Sequence, residues 1–209
     1  CCGILIFFLE MNIFLKTEDE IELMRKANLL VGKTLAEVGR HIKPGVTTLQ
    51  LDKVAEEFIR DNGAIPSFKG CPNPNGGPFP GSICTSLDAI VVHGIPNSRC
   101  VLKEGEIISI DCGVVLDGFN GDSCYTFCVG EVAPEIRDLL RQSHCEAKGY
   151  GIVRELAGHG IGRQMHEEPP VFNFGNPGEG IMLKSGMCIA IEPMGTLGSP
   201  KVWMLHDKW

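Results

Sequence analysis

The sequence of 209 residues has no excess of basic residues and no C-x-x-C pair of cysteines. Its 19 lysines and arginines are outnumbered by 26 aspartates and glutamates, which gives a formal net charge of -7. A chain of that sign lacks the positive field with which proteins neutralise phosphates, so we expect no nucleic-acid partner. The missing C-x-x-C spacing also argues against a structural zinc site.

Long hydrophobic runs are absent as well. The apolar opening Cys1–Glu10 reads CCGILIFFLE and is far too short to cross a bilayer, so we expect no membrane insertion. It has no initiating methionine, no basic flank and no small-residue cleavage site. We therefore interpret residues 1–10 as an upstream leader or a non-native extension, with the natural start at Met11.

The ten cysteines do not favour a disulfide framework. Cys112, Cys124 and Cys128 lie in one strand-like region and Cys188 in another, where cysteine usually behaves as a small buried hydrophobe. Reduced thiols of this kind predict a cytoplasmic protein. The composition, 44% hydrophobic and 22% charged, predicts a single globular domain over residues 11–209.

Helix signals occupy the first part of the chain and strand signals the middle. Thr17 and Glu20 form a capping box for a first helix, and Asn62-Gly63 ends a second one. The Gly/Pro-rich stretch 70–81 reads as a shaped loop over a site rather than a linker, since strands begin right after it. The remaining predicted elements are strands over 82–93, 106–115 and 119–129, a helix from Pro134 towards Lys148, and a last strand ending at Glu192.

An internal repeat relates two parts of the chain. The pattern Leu-Lys-x-Gly-x-x-Ile-x-Ile, followed by a carboxylate, occurs at residues 102–111 and again at 183–192. Each copy reads as a turn and an alternating strand that ends on Asp111 or Glu192. Two halves packed about a pseudo-twofold axis would bring these carboxylates together. A common strand-entry turn that recurs by coincidence is the alternative.

Carboxylates and a histidine beside turns indicate a metal site. Asp111 and Asp122 flank the predicted hairpin, and like charges that face each other across strands are destabilising unless a cation neutralises them. His159 lies in G-H-G-I-G, where small neighbours allow close approach. With Asp122 and Glu192 it forms a donor set suited to Zn, Mn, Fe or Co. Taken singly, these residues could also be solvated turn aspartates and a structural histidine.

Four motifs in a fixed order resemble those of the type I methionine aminopeptidases, which are metallopeptidases of the M24 kind. They are V-H-G-I-P-N at His93, S-I-D-C-G and N-G-D at Asp111 and Asp122, G-H-G-I-G-R-x-x-H-E-E-P at His159 and His166, and I-A-I-E-P-M at Glu192. The resemblance runs from about Met11 to Trp209. It implies an α/β (α+β) pita-bread fold, in which a curved antiparallel sheet with outer helices forms two pseudo-twofold halves, the second of them incomplete.

The resemblance also implies roles for individual residues. The ligands of two divalent ions (Co, Mn, Fe, Zn or Ni) would be Asp111, Asp122, His159 and Glu192, with Asp122 bridging. The catalytic residues would be Glu192, His93 and His166, and the two histidines would also contact substrate. The pocket for the methionine side chain would be lined by Phe79, Cys84, Met165 and Trp209, for which plain core packing is the alternative.

The implied function is removal of the initiator methionine from nascent polypeptides by a monomeric cytoplasmic enzyme working close to the ribosome. A metal-activated hydroxide would attack the first peptide carbonyl while Glu192 shuttles the proton. His166 would stabilise the oxyanion, and His93 would contact the leaving amide nitrogen. Two alternatives stay open: a non-catalytic pita-bread module that binds peptides or proteins, and an Xaa-Pro peptidase of the same fold.

The chain departs from the family pattern in two places. The C-terminal strand that carries the family's fifth ligand, a glutamate, has no counterpart before Trp209, and Asp207 is a poor substitute. The first half has two helices within residues 17–63, whereas the matching stretch 134–149 has room for one, so a helix is expected to be deleted around residues 141–144. We therefore expect at most one tightly held ion and little or no peptidase activity.

Overall fold

The computed structural model describes residues 12–74, 76–141, 145–176 and 178–209. The predicted leader at residues 1–10 and most of the predicted deletion point lie outside the described residues. No helix within the described ranges combines the length and the apolar character needed to cross a bilayer. Seven cysteines in these ranges carry free thiols, namely Cys71, Cys84, Cys100, Cys112, Cys124, Cys128 and Cys188.

Two long helices begin at capping boxes. In α1 (Glu18–His41) the Thr17 hydroxyl accepts a hydrogen bond from the Glu20 N–H, and the Glu20 carboxylate accepts one from the Thr17 N–H. α2 (Thr48–Asp61) begins in the same way and is followed by Asn62 and by Gly63 in the left-handed region. The predicted start of the first helix and the predicted end of the second are therefore confirmed.

The central sheet is antiparallel and is built around one long strand. β3 (Ile107–Leu116) pairs along its whole length with β4 (Phe119–Cys128). Its other edge pairs with β2 (Ile83–Leu87) and, further along, with the short β1 (Ile65–Pro66). One face of β3 is fully buried beneath the two helices and consists of Ile108, Ile110, Cys112 and Val114. The opposite face is left to line a site.

The second half consists of shorter pieces. They are α3 (Pro134–Leu140), a 3-10 turn (Glu146–Lys148), β5 (Gly151–Ile152), β6 (Gly158–Gly160), β7 (Glu167–Val171), β8 (Ile189–Ala190) and β9 (Gly195–Thr196). β6 pairs with β7 on one edge and β8 on the other, and β5 pairs with β9, all of them antiparallel.

The internal repeat folds into two equivalent turns. Gly105 and Gly186 both have a φ of 88°. In the first turn the Glu106 N–H donates to the Lys103 carbonyl at 3.4 Å, and in the second the Met187 N–H donates to the Lys184 carbonyl at 3.1 Å. The chain segments that leave these turns carry Asp111 and Glu192 to one place, where their charges interact. The repeat is therefore structural, as the pseudo-twofold interpretation predicts.

The strand predicted over residues 82–93 is too long. It ends at Leu87 because Asp88 takes the left-handed conformation, with a φ of 47°. The Asp88 carboxylate then accepts a hydrogen bond from the Ile107 N–H at 3.0 Å, which fixes the turn. The residues that follow are irregular up to His93.

Two elements of the second half are also shorter than predicted. The helix expected to run from Pro134 towards Lys148 is regular only as far as Leu140, and it buries no side chain that would stabilise a longer helix. The last strand stops at Ala190, two residues before Glu192. Pro193 follows Glu192 and has no N–H to donate to a strand partner, which explains the early stop.

Candidate metal centre

The β3–β4 hairpin presents two carboxylates on its open face. Asp111 lies opposite Cys124 and Asp122 lies opposite Gly113, so the two aspartates are diagonal neighbours across the strands. Burial, then the negative charges of Asp122 and Glu192, raise the pKa of Asp111 well above its ordinary value. A hydrogen bond between the two aspartate side chains adds to this shift. Such a pair attracts a cation.

Glycines on both sides hold His159 in the centre of its sheet. A side chain at Gly158 would collide with the carbonyl oxygen of Ala190, and one at Gly160 would collide with that of Glu168. β6 can therefore lie between β7 and β8 at this distance only if both positions are glycine. The G-H-G motif is thus the local requirement for placing this imidazole.

The His159 ring is oriented by its own backbone. Its Nδ1 lies 2.8 Å from the carbonyl oxygen of Gly160, which can only accept, so Nδ1 carries a proton. Its Nε2 faces the carboxylates of Asp122 at 3.6 Å and Glu192 at 3.0 Å. Burial alone would lower the pKa of His159, but the neighbouring carboxylates of Asp122 and Glu192 and the Gly160 carbonyl outweigh it and raise the pKa to about 10. Nε2 is therefore placed to bind a proton or a cation.

Asp122, His159 and Glu192 fit a divalent metal ion. Their donor atoms lie within 4.8 Å of one another. Glu192 Oε1 is buried and, although close to His159 Nε2, makes no aligned hydrogen bond. A cation at the centre of the group would be bound by the lone pair of His159 Nε2 and by Glu192 Oε1. The contact from Nδ1 to a backbone carbonyl is the second interaction that metal-binding histidines usually make. Asp111 lies outside this group but contacts it through Asp122.

Two more histidines border the cluster, as the motifs predict. The ring centroids of His166 and His159 are 4.3 Å apart, in an edge-to-face arrangement. Burial, then the positive charge of His159, lower the pKa of His166. Burial also lowers the pKa of His93, against the opposing charge of Glu192. At neutral pH both imidazoles are therefore neutral and can donate or accept hydrogen bonds.

The predicted methionine pocket has an aromatic side. The rings of Phe79 and Trp209 meet edge to face with centroids 5.0 Å apart, and Trp209 lies 6.0 Å from the His93 ring. Phe79 is buried and belongs to the loop of residues 70–81. This loop contacts the rings beside the cluster, which favours the interpretation of a loop over a site against that of a linker.

Cys84 and Met165 lie closer to the aspartates. Cys84 pairs with Asp111 from β2 on the open face of the sheet. The Met165 Cε occupies the space that a side chain at Gly113 would need. Met165 also packs with a small buried cluster, which consists of Met24, Phe119 and Ile161. It therefore has a share in the core, so its pocket role remains a proposal, like those of the other three.

Cys124 lies on the same open face of the sheet as Asp111 and Asp122, although the sequence did not predict it as a site residue. It lies directly opposite Asp111 and two residues after Asp122 on β4. Burial, then the charges of Asp111, Asp122 and Glu192, raise the pKa of its thiol. The signal was available in the sequence, because Cys124 and Asp122 have the same parity in one strand and therefore share a face.

Comparisons with known proteins agree on a family. The model of metallopeptidase family M24 matches residues 22–144 and 138–207. The chain is 44% identical to the methionine aminopeptidase of Clostridium perfringens, over 94% of this chain and 87% of that protein. It superposes on the crystal structure of methionine aminopeptidase from Rickettsia prowazekii with a TM-score of 0.88 at 36% identity, covering 94% of this chain and 88% of that one.

The pita-bread fold predicted from the motifs is thereby confirmed. An Xaa-Pro dipeptidase from Bacillus anthracis gives a TM-score of 0.69 at 22% identity, over 86% of this chain and 54% of that one, and so shares the fold alone. The higher identity to the methionine aminopeptidases favours that group over the Xaa-Pro peptidases. The chain therefore belongs to metallopeptidase family M24 and groups with its methionine aminopeptidases.

Proposed function

We propose that this protein removes the N-terminal methionine of nascent polypeptides in the cytoplasm, using a divalent cation held by Asp122, His159 and Glu192. One observation carries the proposal: three donors from separate parts of the chain converge within 4.8 Å. The proteins that the chain matches are methionine aminopeptidases, which supplies the reaction. A module that only binds peptides would have no need of this convergence, so an enzyme is favoured.

The donor set suits Zn, Mn, Fe, Co or Ni, and Asp111 extends it towards a second ion. When bound, such a cation supplies a Lewis acid that acidifies water and polarises the scissile carbonyl. With Oε1 on the cation side, the other carboxylate oxygen of Glu192 can accept the proton of the attacking water and pass it to the leaving amine. His166, held neutral, donates to the developing oxyanion, and His93 contacts the leaving nitrogen.

Substrate selection follows from the surroundings of the cluster. The edges of Phe79 and Trp209 and the thiol of Cys84 offer surfaces that suit a thioether side chain. With the free amino group of the substrate on the cation side, the reaction is limited to the first residue. A large second residue would meet the loop of residues 70–81.

Peptide turnover tests this proposal. With Co²⁺ or Mn²⁺ added, Met-Ala-Ser should release methionine at least about tenfold faster than Met-Phe-Ser. Rates are expressed per bound ion, because we expect incomplete metal occupancy and therefore low turnover per chain. His159→Ala should abolish the metal-dependent rate. Equal turnover of the two peptides would refute the specificity, and full activity of His159→Ala would refute the site.

A further inference from the structure

We propose that Asn120 is a positioning residue, whose buried side-chain amide fixes the connection of residues 161–166 and thereby holds His166 beside the metal centre. This connection joins β6 to β7 and ends at His166. The inference rests on the proposed function, because it deepens the role given there to His166. One of its two tests measures backbone hydrogen exchange and needs no peptide turnover, so the two proposals can fail separately.

The His166 imidazole depends on its backbone for its position. Its ring meets the His159 ring edge to face. Across the part of the chain that the structure describes, however, the imidazole makes no hydrogen bond of its own. A group that stabilises a developing charge must be held within about 0.5 Å of its working geometry. The segment that carries His166 must therefore be fixed by contacts with the rest of the molecule.

Asn120 provides such contacts from β4. Its N–H donates to the Gly162 carbonyl at 2.8 Å, and its side-chain Nδ2 donates to the carbonyls of Gly162 and Arg163 at 3.2 and 3.0 Å. Because carbonyls can only accept, Nδ2 rather than Oδ1 faces the connection. Oδ1 points the other way and accepts a hydrogen bond from the Ser67 hydroxyl at 3.1 Å. The side chain is buried, so water cannot readily replace these partners.

Among the described residues, Asn120 is the one residue from a distant part of the chain that bonds to the backbone of residues 162–164. The other bonds of this backbone are local. The Gly162 N–H donates to the Gln164 carbonyl, and the Gln164 N–H donates to the Glu167 carboxylate. These local bonds shape the turn but do not fix it against the sheet. The amide of Asn120 is what ties it to β4.

The ends of the connection are held in a different way. Ile161 and Met165 pack in the small buried cluster that contains Phe119. Apolar contacts of this kind exclude water but have no directional preference, so they leave the turn between them to Asn120. Without the amide, we expect the His166 ring to spread over several positions beside the metal centre rather than to leave it.

Ser67 supplies a matched control, because it bonds to the opposite end of the same amide. Ser67→Ala removes the donor to Oδ1 and leaves both Nδ2 bonds in place, whereas Asn120→Ala removes all the side-chain bonds. Both variants lose a buried hydrogen bond and should lose stability. A difference between them in the connection therefore comes from the two Nδ2 bonds.

Hydrogen–deuterium exchange, read by mass spectrometry, tests the anchoring. We expect Asn120→Ala to raise amide exchange in the peptide of residues 161–166 by about tenfold or more, because local opening no longer breaks the Nδ2 bonds. Ser67→Ala should leave this exchange unchanged. If Asn120→Ala does not fold, Asn120→Asp replaces it, since it keeps the size and the bond from Ser67 but loses the donor. Unchanged exchange in the Asn120 variant, or an equal rise in Ser67→Ala, overturns the proposal.

A double-mutant cycle tests whether Asn120 acts through His166. With Co²⁺ or Mn²⁺ added, Asn120→Ala should lower kcat for Met-Ala-Ser by about 10–100-fold. Metal content and KM should stay nearly constant, as expected when an interaction made only in the transition state is lost. In the His166→Ala background the same change should alter kcat by no more than about twofold. Equal losses in both backgrounds overturn the proposal. If the unmodified protein releases no methionine, the proposed function fails and the exchange measurement alone decides the role of Asn120.

Discussion

Asp52 is a buried carboxylate that fixes the start of a strand leading to the site. Its Oδ1 accepts hydrogen bonds from the backbone N–H groups of Ser82 and Ile83, at 2.7 and 3.1 Å. Burial raises the pKa of Asp52, and these two hydrogen bonds only partly offset the shift. Asp52 therefore stabilises the fold as a hydrogen-bond acceptor, whereas its negative charge destabilises the folded state.

We expect Asp52→Ala to lower the free energy of unfolding by about 2 kcal/mol, because two buried N–H groups lose their acceptor. Asp52→Asn keeps an acceptor oxygen without the charge and should cost less than half as much. Since the folded state holds the Asp52 proton more tightly, its contribution to stability falls as pH rises above the ordinary carboxyl value of 3.8. The free energy of unfolding of Asp52→Asn, relative to that of the unmodified protein, should therefore be more favourable at neutral pH than near pH 3.8.

Urea unfolding of the three proteins, near pH 3.8 and at neutral pH, measures both effects. If Asp52→Asn were as unstable as Asp52→Ala at neutral pH, the separation of acceptor from charge would be wrong.

His159 and His166 are neighbouring imidazoles with different expected roles. His159→Ala removes a donor of the cluster and should reduce the metal content after dialysis, together with activity. His166→Ala should retain the metal and slow turnover by about 10²–10³-fold, as expected for the loss of an oxyanion donor. Metal analysis alongside methionine release distinguishes them. Full metal occupancy in His159→Ala would show that it is not a ligand.

At the scale of elements, the fit of α1 against β4 positions Asp122. A side chain at Gly121 would meet the α1 backbone at Ala27 and Asn28, at 2.7 Å. The Asn28 side-chain oxygen accepts a hydrogen bond from the Asp122 N–H at 3.3 Å. Helix and strand are thus held close together one residue away from a metal donor.

Two glycine substitutions test this contact. Gly121→Ala should lower the free energy of unfolding by about 1–3 kcal/mol, because α1 must move away, and should weaken metal binding through Asp122. Gly32→Ala is the control on the exposed face of α1, where a methyl group meets nothing within 4 Å. It should raise stability by about 0.5–1 kcal/mol. Thermal unfolding and metal titration report both, and similar effects from the two variants would contradict the close fit.

The elements that short-range signals specify could be predicted from the sequence. The capping box at Thr17 predicted where the first helix starts, and the repeated turn led to Asp111 and Glu192. Long-range contacts set the rest. The turn at Asp88 depends on Ile107, nineteen residues away, and Met165 joins a core cluster that its own neighbours do not reveal.

At the scale of the whole molecule, the two copies of the repeat differ in how well they are covered. Ile110 is fully buried beneath α1 and α2, whereas its counterpart Ile191 is 70% exposed. Within the described residues the second half therefore gains less stability from its own packing. Contacts with the first half therefore contribute more to the stability of the second half.

Among the ion pairs of the described residues, the most buried is that of Lys16 and Glu167, whose side chains are 6% and 5% exposed. Lys16→Ala removes the cation beside the buried Glu167 carboxylate, which then keeps only the hydrogen bond from the Gln164 N–H. We therefore expect the free energy of unfolding to fall by about 3–5 kcal/mol. The double variant Lys16→Met/Glu167→Gln should recover most of this loss. Chemical denaturation measures both, and a double variant no more stable than the single one would show that packing, not charge, is responsible.

The spread of the donors along the chain has a consequence during synthesis. Asp122 leaves the ribosome well before His159 and Glu192, and Lys16 waits even longer for the partner it finds in Glu167. The helices and the first sheet can form early, but the centre cannot assemble until residue 192 has emerged. Initiator methionines are removed from chains still being made. With the proposed activity, a growing copy of this protein therefore cannot trim itself, and an already finished molecule must do so.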